Sequence, residues 1–114
     1  MRSRRSALLS VVLLFAALVP PIPAQGAVVR GQLFRQAPNG ARSPAGGIAV
    51  TVFAPNMGRS SPSYTDGNGM YYLGVPAGNY TLEVWTSRDP RVPPLVFQIA
   101  VHEPSTDIAP IRIP

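Results

Sequence analysis

The chain has 114 residues with 10 glycines, 14 prolines, no cysteine and a formal net charge of +5. Lacking cysteine, it has no disulfide staple, thiolate metal site, lipid-modified cysteine or cysteine nucleophile, so a domain this small must rest on its hydrophobic core. Every basic residue is arginine, and the seven beyond the first 24 residues face five acids, a net of 7 − 5 = +2; they are spread along the sequence and give no nucleic-acid footprint.

Residues 1–24 read as a secretory signal peptide. Arg2, Arg4 and Arg5 precede an apolar run from Ala7 to Val19, and Pro20-Pro21-Ile22-Pro23-Ala24 supplies the break, with cleavage expected after Ala24. As a helix the run would reach about 20 Å, short of the roughly 30 Å hydrocarbon core, so no membrane span is expected in the mature form. Ser3-Arg4-Arg5 partly matches a twin-arginine signal, but Ala7 stands where Phe is usual, which favours general secretion. The mature chain, residues 25–114, is then one domain, expected to be secreted or periplasmic.

Strand signals follow in order. Ala27–Arg35 alternates small and apolar residues with polar ones and reads as a first strand; residues 36–47, rich in Gly and Pro, read as a loop. Ile48–Phe53 is the second strand, and Ala54–Ser63 a connection broken by Pro55, Gly58 and Pro62. Tyr64–Asp66, Met70–Val75 and Tyr80–Trp85 are strands three to five, joined by reversals at Thr65–Gly69 and Val75–Asn79. These turns predict positive φ at Gly78 and at one of Gly67 and Gly69. Folding the second reversal as a hairpin sets Leu82 opposite Leu73, Glu83 opposite Tyr72 and Trp85 opposite Met70. Period-2 counting directs Tyr71, Leu73, Val75, Tyr80, Leu82 and Val84 to the core, with Val50 and Val52. Arg88–Pro94 is a stiff loop. Leu95–Val101 and Ile108–Ile113 close the domain, the last at an edge because Pro110 donates no ladder hydrogen bond. With no helix-period segment beyond the signal, the class is all-β: a seven-stranded antiparallel Greek-key β-sandwich.

The layout from about Val28 to Ile113 resembles the carboxypeptidase regulatory-like domain, a transthyretin-like sandwich also grouped with carbohydrate-binding-like folds. Its motifs are Gly31 in the first strand, Pro44-Ala45-Gly46-Gly47-Ile48-Ala49-Val50-Thr51-Val52, Thr65-Asp66-Gly67-Asn68-Gly69-Met70-Tyr71-Tyr72-Leu73, and Val75-Pro76-Ala77-Gly78-Asn79-Tyr80-Thr81-Leu82. The resemblance implies a non-catalytic module of the kind found beside enzymes, receptors and adhesins.

No catalytic, cofactor or metal residue is expected. His102 is the single histidine; Glu103, Ser105 and Asp107 are too near along an extended chain to converge on it as a triad. Hydroxyisourate-type hydrolases of transthyretin-like fold need several histidines and a Tyr-Arg-Gly-Ser run, where this chain reads Ile111-Arg112-Ile113-Pro114. Asp66 and Asn68 look like the start of a calcium loop, but no further carboxylate follows at a matching spacing, and the turn accounts for them. The outward aromatics are the candidate binding residues: Tyr72, Trp85 and Phe53, with Met70, forming a strip for a protein partner or a cell-surface glycan. The expected function is an exported, non-enzymatic binding or interaction module; a carbohydrate-binding module is the alternative, and a small hydrolase a remote one.

Overall fold

Alternation of Val29, Gly31 and Leu33 with Val28, Arg30 and Gln32 makes one long strand, β1 (Ala27–Gln36), on which half of the molecule is built. The structure, a computed structural model, describes residues 26–114; the expected signal peptide lies outside the described residues. The remaining strands are β2 (Arg42–Pro44), β3 (Ala49–Ala54), β4 (Gly58–Arg59), β5 (Ser63–Tyr64), β6 (Met70–Val75), β7 (Gly78–Trp85), β8 (Leu95–Val101), β9 (Ser105–Asp107) and β10 (Ile111–Arg112).

The first half of β1 pairs antiparallel with β6 and parallel with β9, and its second half antiparallel with β2 and parallel with β10. The second sheet runs β4-β3-β7-β8, with β5 also on β3. Their inner faces meet in a core where Val29, Leu33 and Tyr71 of the first sheet and Val50, Val52, Leu82 and Val84 of the second have no solvent exposure. Gly31 stands opposite Tyr71 on the neighbouring strand, and a side chain there would collide with the Tyr71 hydroxyl. That hydroxyl is buried without a hydrogen-bond partner, and burial pushes its pKa up to about 12.

The all-β sandwich and the eight expected core residues agree with the structure. Three features differ. Among the described residues there are ten strands rather than seven, because β2 and β4 form inside segments read as loops, β9 forms at Ser105–Asp107 just before the expected last run, and that run, Ile108–Ile113, is a strand only at β10. The sheets are not wholly antiparallel, since β9 and β10 run parallel to β1, though Pro110 does fall beside an edge. Most consequentially, Val75–Asn79 is not a hairpin turn. β6 pairs with β1 while β7 pairs with β3 and β8, so the segment crosses from one sheet to the other.

The reversal at Asp66–Met70 behaves as its residues require. Asp66 Oδ1 accepts the main-chain N–H groups of Asn68 at 2.8 Å and Met70 at 3.0 Å, and Gly69 takes φ +76°. Gly78 is at φ +154°.

Candidate functional site

Antiparallel pairing fixes the outer face of the second sheet row by row, because directly opposite residues project to the same side. One row is Tyr64, Ala49 and Trp85, from β5, β3 and β7. A second pairs Thr51 with Glu83, and a third sets Arg59, Phe53 and Thr81 in line.

In the first row a methyl side chain lies between two large rings. Two strand spacings of about 4.8 Å put the Tyr64 and Trp85 backbones roughly 10 Å apart, with Ala49 as a low floor. Tyr64 is 65% exposed and Trp85 half-buried. A cleft of about 550 Å³ opens there, lined also by Gly47, Ser87 and Arg88.

A polar network fixes the Trp85 wall. Its Nε1–H donates to Thr51 Oγ1 at 2.9 Å, and the Thr51 hydroxyl donates to Glu83 Oε1 at 2.7 Å. Arg59 grips the same carboxylate with two bonds, Nε to Oε1 at 2.7 Å and Nη2 to Oε2 at 3.0 Å. Its guanidinium carbon lies 5.4 Å from the Trp85 ring centre and 5.8 Å from that of Phe53, within cation–π range of both. The Arg59 hydrogen bonds hold the Glu83 carboxyl below its ordinary pKa against the opposing effect of desolvation, with the Thr51 bond adding to them. The ring face is therefore held in one orientation before any ligand arrives, which lowers the ordering cost of binding.

Glu83→Ala is expected to remove about 1.5 to 3 kcal/mol of stability, since it deletes charge-assisted hydrogen bonds from a nearly buried group while the half-exposed Arg59 rehydrates. The pH dependence follows from the direction of the shift. With a folded pKa below the unfolded value of about 4.3, Glu83 contributes fully above that pH, and the contribution fades as pH falls through the folded value. Acid unfolding followed by circular dichroism should accordingly be shallower in Glu83→Gln than in the parent; superimposable profiles would show the network to be energetically idle.

The expected strip of Tyr72, Trp85, Phe53 and Met70 does not exist as one surface. Trp85 and Phe53 are on the outer face of the second sheet, whereas Tyr72 and Met70 pair with Arg30 and Gln32 on the outer face of the first. The cause is the sheet crossover at Val75–Asn79: Trp85 faces Ala49, not Met70, across its ladder. Tyr72 is 53% exposed, while Met70, Phe53 and Trp85 are half-buried.

Thr51, Arg59, Tyr64 and Glu83 belong to the site and were missing from the expected set. Only Tyr64 carried a signal, an aromatic on a short strand, and placing it needed the β3–β5 register. Elsewhere, His102 is exposed; its main-chain N–H donates to Thr106 Oγ1, and Asp107 is held by Arg30. Among the described residues no cluster of three or more metal-ligating side chains occurs, and no helix is long and apolar enough to cross a membrane.

No protein-family model matches the chain, and no curated protein matches its sequence. Solved structures do share the architecture. A DUF3823 family protein from Parabacteroides merdae superposes with a TM-score of 0.54 at 11% identity, over 76% of this chain and 45% of its own. The major pilin subunit BcpA of Bacillus cereus gives 0.52 at 13% identity, over 77% and 29%. A Pseudomonas aeruginosa protein to which carbohydrate binding is ascribed gives 0.53 at 14% identity, over 83% and 99%. The chain thus spans less than half of the first two and nearly all of the third. Identities this low establish the shared β-sandwich and nothing finer.

Proposed function

We propose that residues 25–114, exported behind the signal peptide to the periplasm or cell exterior, form a non-enzymatic binding module of the carboxypeptidase regulatory-like type whose ligand is a glycan. The observation that carries this reading is the row Tyr64–Ala49–Trp85: two rings separated by a methyl floor, one of them locked by Thr51 and Arg59. The C–H faces of a sugar ring stack on such walls, and Ser87 and Arg88 stand at the cleft to meet hydroxyl groups. The Pseudomonas neighbour's ascribed carbohydrate binding points the same way.

Trp85 is the single tryptophan, so its emission reports on the trough alone. Neutral cello-, xylo-, manno- and chito-oligosaccharides should be titrated against it. A saturable change is expected with at least one series. Tyr64→Ala should weaken that binding by about tenfold or more, from loss of one stacking wall, with an unchanged melting temperature. Silence across all the series would remove the trough as a sugar-binding site. A protein partner is the second reading, favoured by a separate observation: Tyr72 at 53% and Val28 at 41% exposure share the outer face of the first sheet.

A further inference from the structure

Seven arginines lie in the described residues, and three of them are in ion pairs: Arg30 with Asp107, Arg59 with Glu83 and Arg91 with Asp89. Of the other four, Arg35, Arg42 and Arg112 gather at one end of the first sheet, although they are far apart in sequence. The register of β1 brings them together, setting Arg112 opposite Phe34, Arg42 opposite Gln36 and Arg35 opposite Ser43. Arg35 and Arg112 line a cleft of about 560 Å³ whose walls include Gln36, Pro38 and Gly40 but no acidic side chain.

The end is built rather than frayed. The Arg42 guanidinium stacks 4.2 Å from the centre of the Phe34 ring, covering a side chain that is only 8% exposed. The Gln36 amide donates to the Gly40 carbonyl at 3.2 Å and its oxygen lies 3.4 Å from Arg112 Nη1; Arg35 Nε donates to the main-chain oxygen of Pro114 at 3.2 Å. The turn beneath is closed by Ala37 N–H to Ala41 O and Gly40 N–H to Ala37 O, both 2.8 Å.

We propose that this arginine end is a second binding site, specific for the carboxylate or phosphate groups of an acidic glycan. Guanidinium forks match the planar carboxylate and the phosphate oxygens, and with Arg35 already donating to the Pro114 oxygen, Arg42 and Arg112, neither of them in an ion pair and with no acidic side chain lining the cleft, attract an anion rather than a neutral sugar. Two other polyanions are disfavoured by what surrounds the arginines. Single-stranded nucleic acid needs open aromatic faces for its bases, whereas Phe34 is capped by Arg42. A lipid surface needs an apolar anchor beside the charge, and the exposed large apolar residues lie elsewhere: Val28 at the opposite end of β1, and others such as Met57, Tyr64, Tyr72 and Phe97 on other segments. The choice of a glycan rests on the function proposed above; the anion site itself does not.

Digalacturonate, its neutral methyl ester and inorganic phosphate serve as probes, with binding followed by NMR shifts of the Arg35, Gln36 and Arg112 amides. Digalacturonate should bind and the ester should not, with affinity falling as salt is raised. The double variant Arg42→Gln/Arg112→Gln should weaken binding about tenfold or more, and Tyr64→Ala should leave it unchanged. Arg42→Lys keeps charge over Phe34 and controls for folding through its melting temperature. Phosphate binding at the same amides with the same arginine dependence would identify phosphorylated sugars as the source of the anion. Equal binding of the ester, indifference to the double variant, or stronger binding to a DNA oligonucleotide or to phosphatidylglycerol vesicles would overturn the proposal. Acid-sugar binding here with silence at Trp85 would instead remove the trough reading alone.

Discussion

Leu82→Ala is expected to lower the unfolding free energy by about 2 to 5 kcal/mol, a large share of the total available to a domain this small. Leu82 has no solvent exposure and lies mid-strand on β7, opposite Val52 on one side and Phe97 on the other, facing the first sheet. Truncation removes its apolar surface and leaves a cavity between two sheets that share one layer of side chains. The surrounding strands are held by ladders on both sides of β7, which limits collapse into the void. Urea unfolding should show a lower midpoint with an unchanged slope. A loss below about 1 kcal/mol would place the side chain outside the packed layer.

Gly69→Ala should be about as damaging, by about 2 to 5 kcal/mol, through backbone geometry rather than burial. At φ +76° a Cβ brings left-handed strain of about 1 to 2 kcal/mol. The new methyl would also collide with the carbonyl oxygen of Leu33. That carbonyl accepts Ala45 N–H at 3.0 Å while Leu33 N–H donates to Gly69 O at 2.8 Å, so relieving the clash disturbs two bonds worth about 0.5 to 1.5 kcal/mol each. Gly67, two residues away, provides the control. A Cβ there meets nothing within 4 Å, and Gly67→Ala should change stability by less than about 0.5 kcal/mol. Equal effects at the two glycines would contradict the close approach at Gly69.

Core membership was legible in the sequence for a reason that also concealed the topology. Leu73 and Leu82 point inward whether β6 and β7 are hairpin partners in one sheet or face each other from opposite sheets, so alternation cannot separate the two arrangements. The observed crossover keeps every inward residue and reverses the relation among the outward ones, sending Tyr72 and Trp85 to opposite surfaces. Glu83 shows a second limit. Period-2 counting places it outward, as it is, yet it is only 6% exposed because the side chain of Arg59 reaches over it. Arg59 comes from a segment whose glycine and prolines read as a loop, and two strand residues there suffice to set it opposite Phe53. The three arginines at the end of β1 are likewise scattered in sequence and grouped only by register.

The long first strand governs when the domain can form as well as what it looks like. Val28 is flanked by Ser105, 105 − 28 = 77 positions further along, and Leu33 by Ile111, 111 − 33 = 78 positions further. Contacts of such long range raise contact order and slow folding, because most of the chain's loop entropy is lost before they return any stabilisation. A chain arranged in this way keeps its first sheet incomplete until its far segment has been synthesised. Under the export proposed above, that delay would keep an extended polypeptide competent for transport and postpone closure until its far segment has crossed.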